Sequence, residues 1–69
     1  MNNVAKVIEV VGTSETGLED AIRGAISRAS KTVENLQWFE VREIRGALDG
    51  GNIERFRVML KIGFGLNDD

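Results

Sequence analysis

Ile53-Glu-Arg-Phe56-Arg-Val58-Met-Leu60-Lys-Ile62-Gly-Phe64-Gly-Leu66 is the cleanest alternation in the chain. Successive side chains of an extended backbone point to opposite sides. Phe56, Val58, Leu60, Ile62, Phe64 and Leu66 therefore share one face, and Arg55, Arg57, Met59, Lys61, Gly63 and Gly65 the other. The first face is core. Toward the N-terminus, Asp49-Gly50-Gly51 is a strong turn signal, so this strand is the second arm of a hairpin. The first arm is Leu36-Gln-Trp38-Phe-Glu-Val41-Arg-Glu-Ile44-Arg-Gly46. Here Phe39 and Val41 face the core, while the only tryptophan, Trp38, shares the other face with Glu40 and Arg42. Ile44 and Arg45 are both out of phase with that assignment. One bulge between Val41 and Ile44 would correct both at once and is predicted.

Val4 to Val11 is β-branched and nearly continuous, which suits a first strand covered on both sides. Gly12-Thr13-Ser14 breaks it and offers hydroxyls for a helix N-cap, with Glu15, Glu19 and Asp20 placed to suit the positive end of a helix dipole. Leu18, Ile22, Ala25, Ile26, Ala29 and Val33 then form a single apolar stripe at helical period. Gly24, inside that helix, costs up to about 1 kcal/mol against alanine and is expected to admit a close neighbour. Asn67-Asp68-Asp69 is expected to be a short frayed tail.

The order is strand, helix, strand, strand. A strand-helix-strand crossover leaves its two strands parallel, and the hairpin partner runs antiparallel to the second. Placing the most apolar strand in the centre makes every neighbouring pair antiparallel. The expected fold is α+β, β-α-β-β, with a three-stranded antiparallel sheet in order 1-3-2 wrapped around one helix, in a single domain over residues 1–69.

A chain of 69 residues buries only about 60% of its unfolded surface, so a lone core is marginal. The sequence has no cysteine and no histidine, which removes disulfides and the usual zinc ligands as reinforcement. Oligomerisation or a bound ligand remains. A net charge of −2 offers no overall electrostatic footprint for nucleic acid, and no apolar run is long enough to span a membrane. Without a signal-peptide pattern, the expected location is cytoplasmic. No catalytic nucleophile, proton shuttle or acidic pair stands out, so an enzyme is not expected.

With the helix on one side, the outer face of the sheet carries Trp38, Glu40, Arg42, Arg55, Arg57 and Met59, joined by Arg45 if the bulge forms. Burying an indole is worth about 1.5–3 kcal/mol, so something should cover it. Two occupants suit the pattern. One is a planar anionic conjugated ligand, whose ring stacks while guanidinium groups hold its oxygens. The other is a second copy of the chain, since tryptophan and arginine are enriched in protein interfaces.

Val11-Gly12-Thr13-Ser14, Ala21-Ile22 with Ala29, Trp38-Phe39-Glu40-Val41 with Ile44-Arg45-Gly46, and Val58 with Gly63-Phe64 together resemble the dodecin family over almost the whole chain. The resemblance implies a flavoprotein whose twelve copies form a hollow shell of cubic symmetry. Each pocket lies on a two-fold axis and holds two flavins between the tryptophans of two subunits. It implies Trp38 as the stacking residue and Arg45 as a ligand contact suited to the phosphate of FMN. Such proteins store or buffer FMN, riboflavin or FAD and quench their photochemistry. Arg57 stands where the family has glutamine, which hydrogen-bonds the polar edge of the isoalloxazine ring. Arginine donates to carbonyl oxygens but accepts nothing from a ring N–H. Gly65 replaces an arginine that binds coenzyme A in some members, so coenzyme A is not an expected partner. The function expected is flavin storage and sequestration by a homododecamer through Trp38, Arg45 and Arg57, with a shell lacking a dedicated ligand as the alternative.

Overall fold

The computed structural model describes residues 4–66. The tail expected at Asn67-Asp68-Asp69 lies outside them. A first strand, β1 (Ala5–Ser14), is followed by a helix, α1 (Leu18–Ala29), and by two long strands, β2 (Leu36–Asp49) and β3 (Asn52–Gly65). The sheet order is β1-β3-β2, and both pairings are antiparallel. The expected topology is therefore present, with the alternating strand in the centre. Gly50 and Gly51 both adopt positive φ, 59° and 85°, the handedness that a two-residue hairpin turn needs and that glycine reaches without steric cost.

Val58, Leu60 and Ile62 of β3 are fully buried and meet Ala21, Ala25 and Ala29 of α1, with Ile8, Val10, Leu18, Ile22, Ile26 and Leu36 packed around them. The helix contributes small residues at intervals of four, which lets its axis approach the sheet closely. That approach is tightest at Gly12. A Cβ there would run into the backbone oxygen of Ala21 and touch the Ala25 methyl group. The close neighbour expected at Gly24 is absent: a Cβ at that exposed position meets nothing within 4 Å. The strand, not the helix, supplies the glycine at the crossing.

Three boundaries differ from expectation. β1 continues through Gly12 and Thr13 to Ser14 instead of breaking at Gly12, because Gly12 to Ser14 pair with Val58, Arg57 and Phe56 of β3. Ser14 is also not the helix N-cap. That residue is Gly17, without a side-chain cap. The buried Ser14 hydroxyl instead accepts from the backbone N–H of Thr16 (3.0 Å) and donates to Asp20 Oδ2 (2.8 Å), closing the tight link between strand and helix. At the other end α1 stops at Ala29, short of Val33, although the Val33 N–H still reaches Ala29 O at 3.0 Å.

The predicted bulge is present. Val41 pairs with Leu60 and Glu43 with Met59, leaving Arg42 unpaired between them, so that Ile44 falls opposite Val58 on the helix side and Arg45 opposite Arg57 on the outer side. Arg42 occupies the bulge, and Glu43 takes the outer-face position that simple alternation assigns to Arg42. Helix-side phase does not mean burial, however. The helix packs on β1 and β3, and of β2 only Leu36, at its start, joins the core cluster among the described residues, so Phe39, Val41 and Ile44 stay exposed, Ile44 to 58%.

Candidate functional site

Trp38 pairs with Gly63 across the β2–β3 ladder. An indole at a strand position normally stands away from the sheet, but the missing side chain at Gly63 lets the six-membered ring lie down over the neighbouring backbone. A Cβ built on Gly63 would overlap Trp38 Cη2, Cζ2 and Cε2. Val7 of β1 is the partner of Gly63 on its other side, so Trp38, Gly63 and Val7 form one row across the outer face. Half of the tryptophan remains exposed, at 48%. The ring has a backbone floor beneath it and open space above, which is the geometry of a stacking platform. The pairing of Trp38 with Gly63 depends on two offsetting irregularities, at Val41/Glu43 and at Ala47/Leu48, so the seat is a register relation that neither alternation nor counting from the turn with one bulge reveals. Gly63→Ala is expected to push the ring off this seat. The indole would then take a poorer rotamer, and affinity for a planar ligand stacked on it should fall about tenfold, as checked by tryptophan emission together with a titration of that ligand.

The bulge determines the second part of the face. Arg45 and Arg57 are directly opposed, and the two line a recess of about 230 Å³ with Val11, Glu43 and Met59. Arg45 Nε donates to Glu43 Oε1 at 3.1 Å, which leaves its terminal amino groups without a side-chain partner among the described residues. Trp38 shares the face with this pair but does not adjoin it. Gly63 and Arg57 are six residues apart on β3, about 20 Å at ~3.3 Å per residue. One chain therefore supplies a stacking platform and a cationic patch at separate places.

Among the described residues no group of three or more His, Cys, Asp or Glu could hold a metal ion, and no helix is long and apolar enough to cross a membrane. Apolar side chains are exposed on both sides of the sheet, with Phe39, Val41 and Ile44 on the helix side and Val7, Val11 and Trp38 on the outer side. Single exposed hydrophobics are ordinary, but contiguous ones on both faces of one small sheet mark contact surfaces.

These features define a class: small β-α-β-β protomers whose sheet exposes apolar contact surfaces on both faces. The chain belongs to the dodecin family, whose family model matches residues 4–67. The dodecin of Thermus thermophilus is 48% identical over 68 residues, covering 99% of both chains. A crystal structure of a protein from the same organism superposes with a TM-score of 0.93 at 47% identity, covering 99% of this chain and all of that one. The calcium dodecin of Mycobacterium tuberculosis is 34% identical over 62 residues, covering 90% of this chain and 87% of its own. Its crystal structure, described as having a novel calcium-binding site, superposes with a TM-score of 0.79 at 34% identity, covering 96% and 94% of the two chains.

Proposed function

We propose that this protein is a cytoplasmic, non-catalytic flavin-storage protein. A homododecamer binds FMN, or riboflavin or FAD, by stacking the isoalloxazine ring on Trp38. The observation that carries this reading is the indole laid over Gly63 with one side open. A flat aromatic surface with a backbone floor binds another flat ring with little loss of conformational freedom. The separation of Trp38 from Arg45 and Arg57 supports a pocket shared between copies, in which one subunit stacks the ring and another holds its polar edge or phosphate. The stacked indole then acts as an electron donor that quenches the excited flavin. The sequence has no histidine or cysteine, so the commonest proton shuttle and the most intrinsically nucleophilic side chain are both absent, which supports a non-catalytic reading.

Two other ligands fit less well. A side chain at position 65 would meet the side-chain amides of Asn35 and Gln37, so Gly65 itself offers coenzyme A no guanidinium group and leaves those amides at the position. Calcium, named for the mycobacterial relative, would require an acidic cluster that is absent among the described residues of one chain.

The test is size-exclusion chromatography with visible absorption, followed by addition of FMN to the eluted protein. A large assembly that is yellow, or that quenches added FMN until its sites are filled, is the expected result. A large colourless assembly that leaves FMN fully fluorescent overturns flavin storage and favours a shell without a dedicated ligand.

A further inference from the structure

Gln37 belongs to no ladder pair. Leu36 is opposite Phe64 and Trp38 opposite Gly63, which are consecutive residues of β3, so Gln37 is the extra residue of a bulge at the start of β2. Strict alternation would send its side chain to the side of the sheet opposite Trp38. The bulge brings it to the same side. Its amide lies over Gly65, where a Cβ would sit 2.7 Å from Gln37 Nε2 and 2.5 Å from Asn35 Nδ2. Gly65 shares the outer face with Gly63, the seat of the indole, about 7 Å further along β3. Asn35 is held there by its backbone: its φ of 65° is left-handed, a conformation that asparagine tolerates, and its carbonyl accepts the Gly65 N–H at 3.1 Å. Two carboxamides are thus gathered at one edge of the stacking platform, in room left by a missing side chain. Both residues are exposed, and among the described residues neither amide has a hydrogen-bond partner.

The other polar side chains around the platform have simpler chemistry. Lys61, two residues from Gly63 in the opposite direction, only donates, and its partners across the two ladders, Glu9 and Glu40, only accept when ionised. A carboxamide does both from adjacent atoms. That pattern is the complement of a cyclic imide edge, where a ring N–H stands beside a carbonyl oxygen. Arg57 cannot take this part within the chain, because a guanidinium group only donates and it lies about 20 Å from Gly63 along β3.

We propose that Gln37, with Asn35 beside it, reads the imide edge of the ring stacked on Trp38: Nε2 donates to a ring carbonyl and Oε1 accepts from the ring N–H. The inference rests on the flavin-storage reading and adds to it the residue that selects among flat rings. Stacking alone accepts any aromatic surface, whereas a paired donor and acceptor at the rim rejects a ring that cannot answer both, because the unanswered group is then left without its hydrogen bond.

The test is fluorescence titration of the unmodified protein and of Gln37→Met with two ligands, riboflavin and riboflavin methylated on the imide nitrogen. Neither ligand carries a phosphate, so a phosphate contact cannot account for a difference between them. Gln37→Met keeps the length of the side chain and removes its donor and acceptor. It is expected to weaken riboflavin about tenfold. The methylated ligand should bind the unmodified protein less tightly than riboflavin does, and should change by no more than about twofold in the variant, since its contact with Gln37 is already lost. A folding or assembly defect would weaken both ligands alike, so the difference between them isolates the contact. Riboflavin affinity unchanged in Gln37→Met, or an equal loss for both ligands, overturns the role of Gln37 while leaving stacking on Trp38 in place. Failure of the unmodified protein to bind riboflavin overturns flavin storage itself, and this inference with it.

Discussion

Trp38→Ala is expected to weaken flavin binding at least about thirtyfold while leaving the assembly intact. Stacking a heteroaromatic ring on an aromatic side chain contributes about 1–3 kcal/mol per contact, and a pocket walled by two copies of Trp38 loses two such contacts at once. Nothing else on the outer face replaces them. The neighbours in the row are Gly63 and Val7, neither of which presents a flat surface. The assembly should persist, because much of the exposed apolar surface that a second copy would cover lies elsewhere, at Phe39, Val41 and Ile44 on the helix side and at Val7 and Val11 on the outer side. Fluorescence titration with FMN and riboflavin, alongside the elution volume of the variant, checks both parts. Unchanged affinity would remove Trp38 from the site.

Leu60→Ala is expected to cost about 2–5 kcal/mol of stability. Leu60 is at the centre of β3, is 0% exposed within a single chain and lies in the cluster formed with Ala21, Ala25 and Ala29. The alanines opposite it have no longer side chain with which to fill the resulting hole, and their backbone already sits close to the sheet at Gly12. Such a loss is a large fraction of the 5–15 kcal/mol typical of a folded domain. It should lower the urea midpoint by at least about 1 M, measured at fixed protein concentration because self-association adds to apparent stability. A midpoint within error of the unmodified protein would mean that the core lies between subunits and not within each one.

The two residues differ in how far they could be read before folding. Leu60 sits mid-strand in an unbroken alternation between a two-glycine turn and the end of the chain, so its burial followed from periodicity alone. The bulge in β2 was also readable, because Ile44 and Arg45 were wrong together and a single inserted residue mended both. Which residue would be extruded was not. Arg42, Glu43 and their neighbours have similar polarity, and only the ladder with Met59 and Leu60 decides that Arg42 leaves it. Gly24 and Gly12 were misjudged for a related reason. A glycine inside a helix draws attention through its propensity cost, whereas a glycine in a strand reads as a break. Which one faces a neighbour depends on the side of the helix that meets the sheet. Trp38 was placed on the correct face, but its seat on Gly63 depends on register, and a one-residue slip would have put it over a side chain.

By itself, the sequence determined the β-α-β-β order, the central position of β3, the turn at Gly50-Gly51, the outward face of Trp38 and the need for reinforcement from outside a chain without cysteine or histidine. Each depends on local chemistry or on a period of two or 3.6 residues, which a linear pattern records directly. Tertiary structure alone decided that α1 covers β1 and β3 but leaves Phe39, Val41 and Ile44 of β2 bare, that Gly12 admits the helix, that Trp38 lies flat over Gly63, and that Arg45 confronts Arg57. Those facts depend on the sheet's register and on the helix's position over it, and distances between strands are set by packing rather than by spacing along the chain.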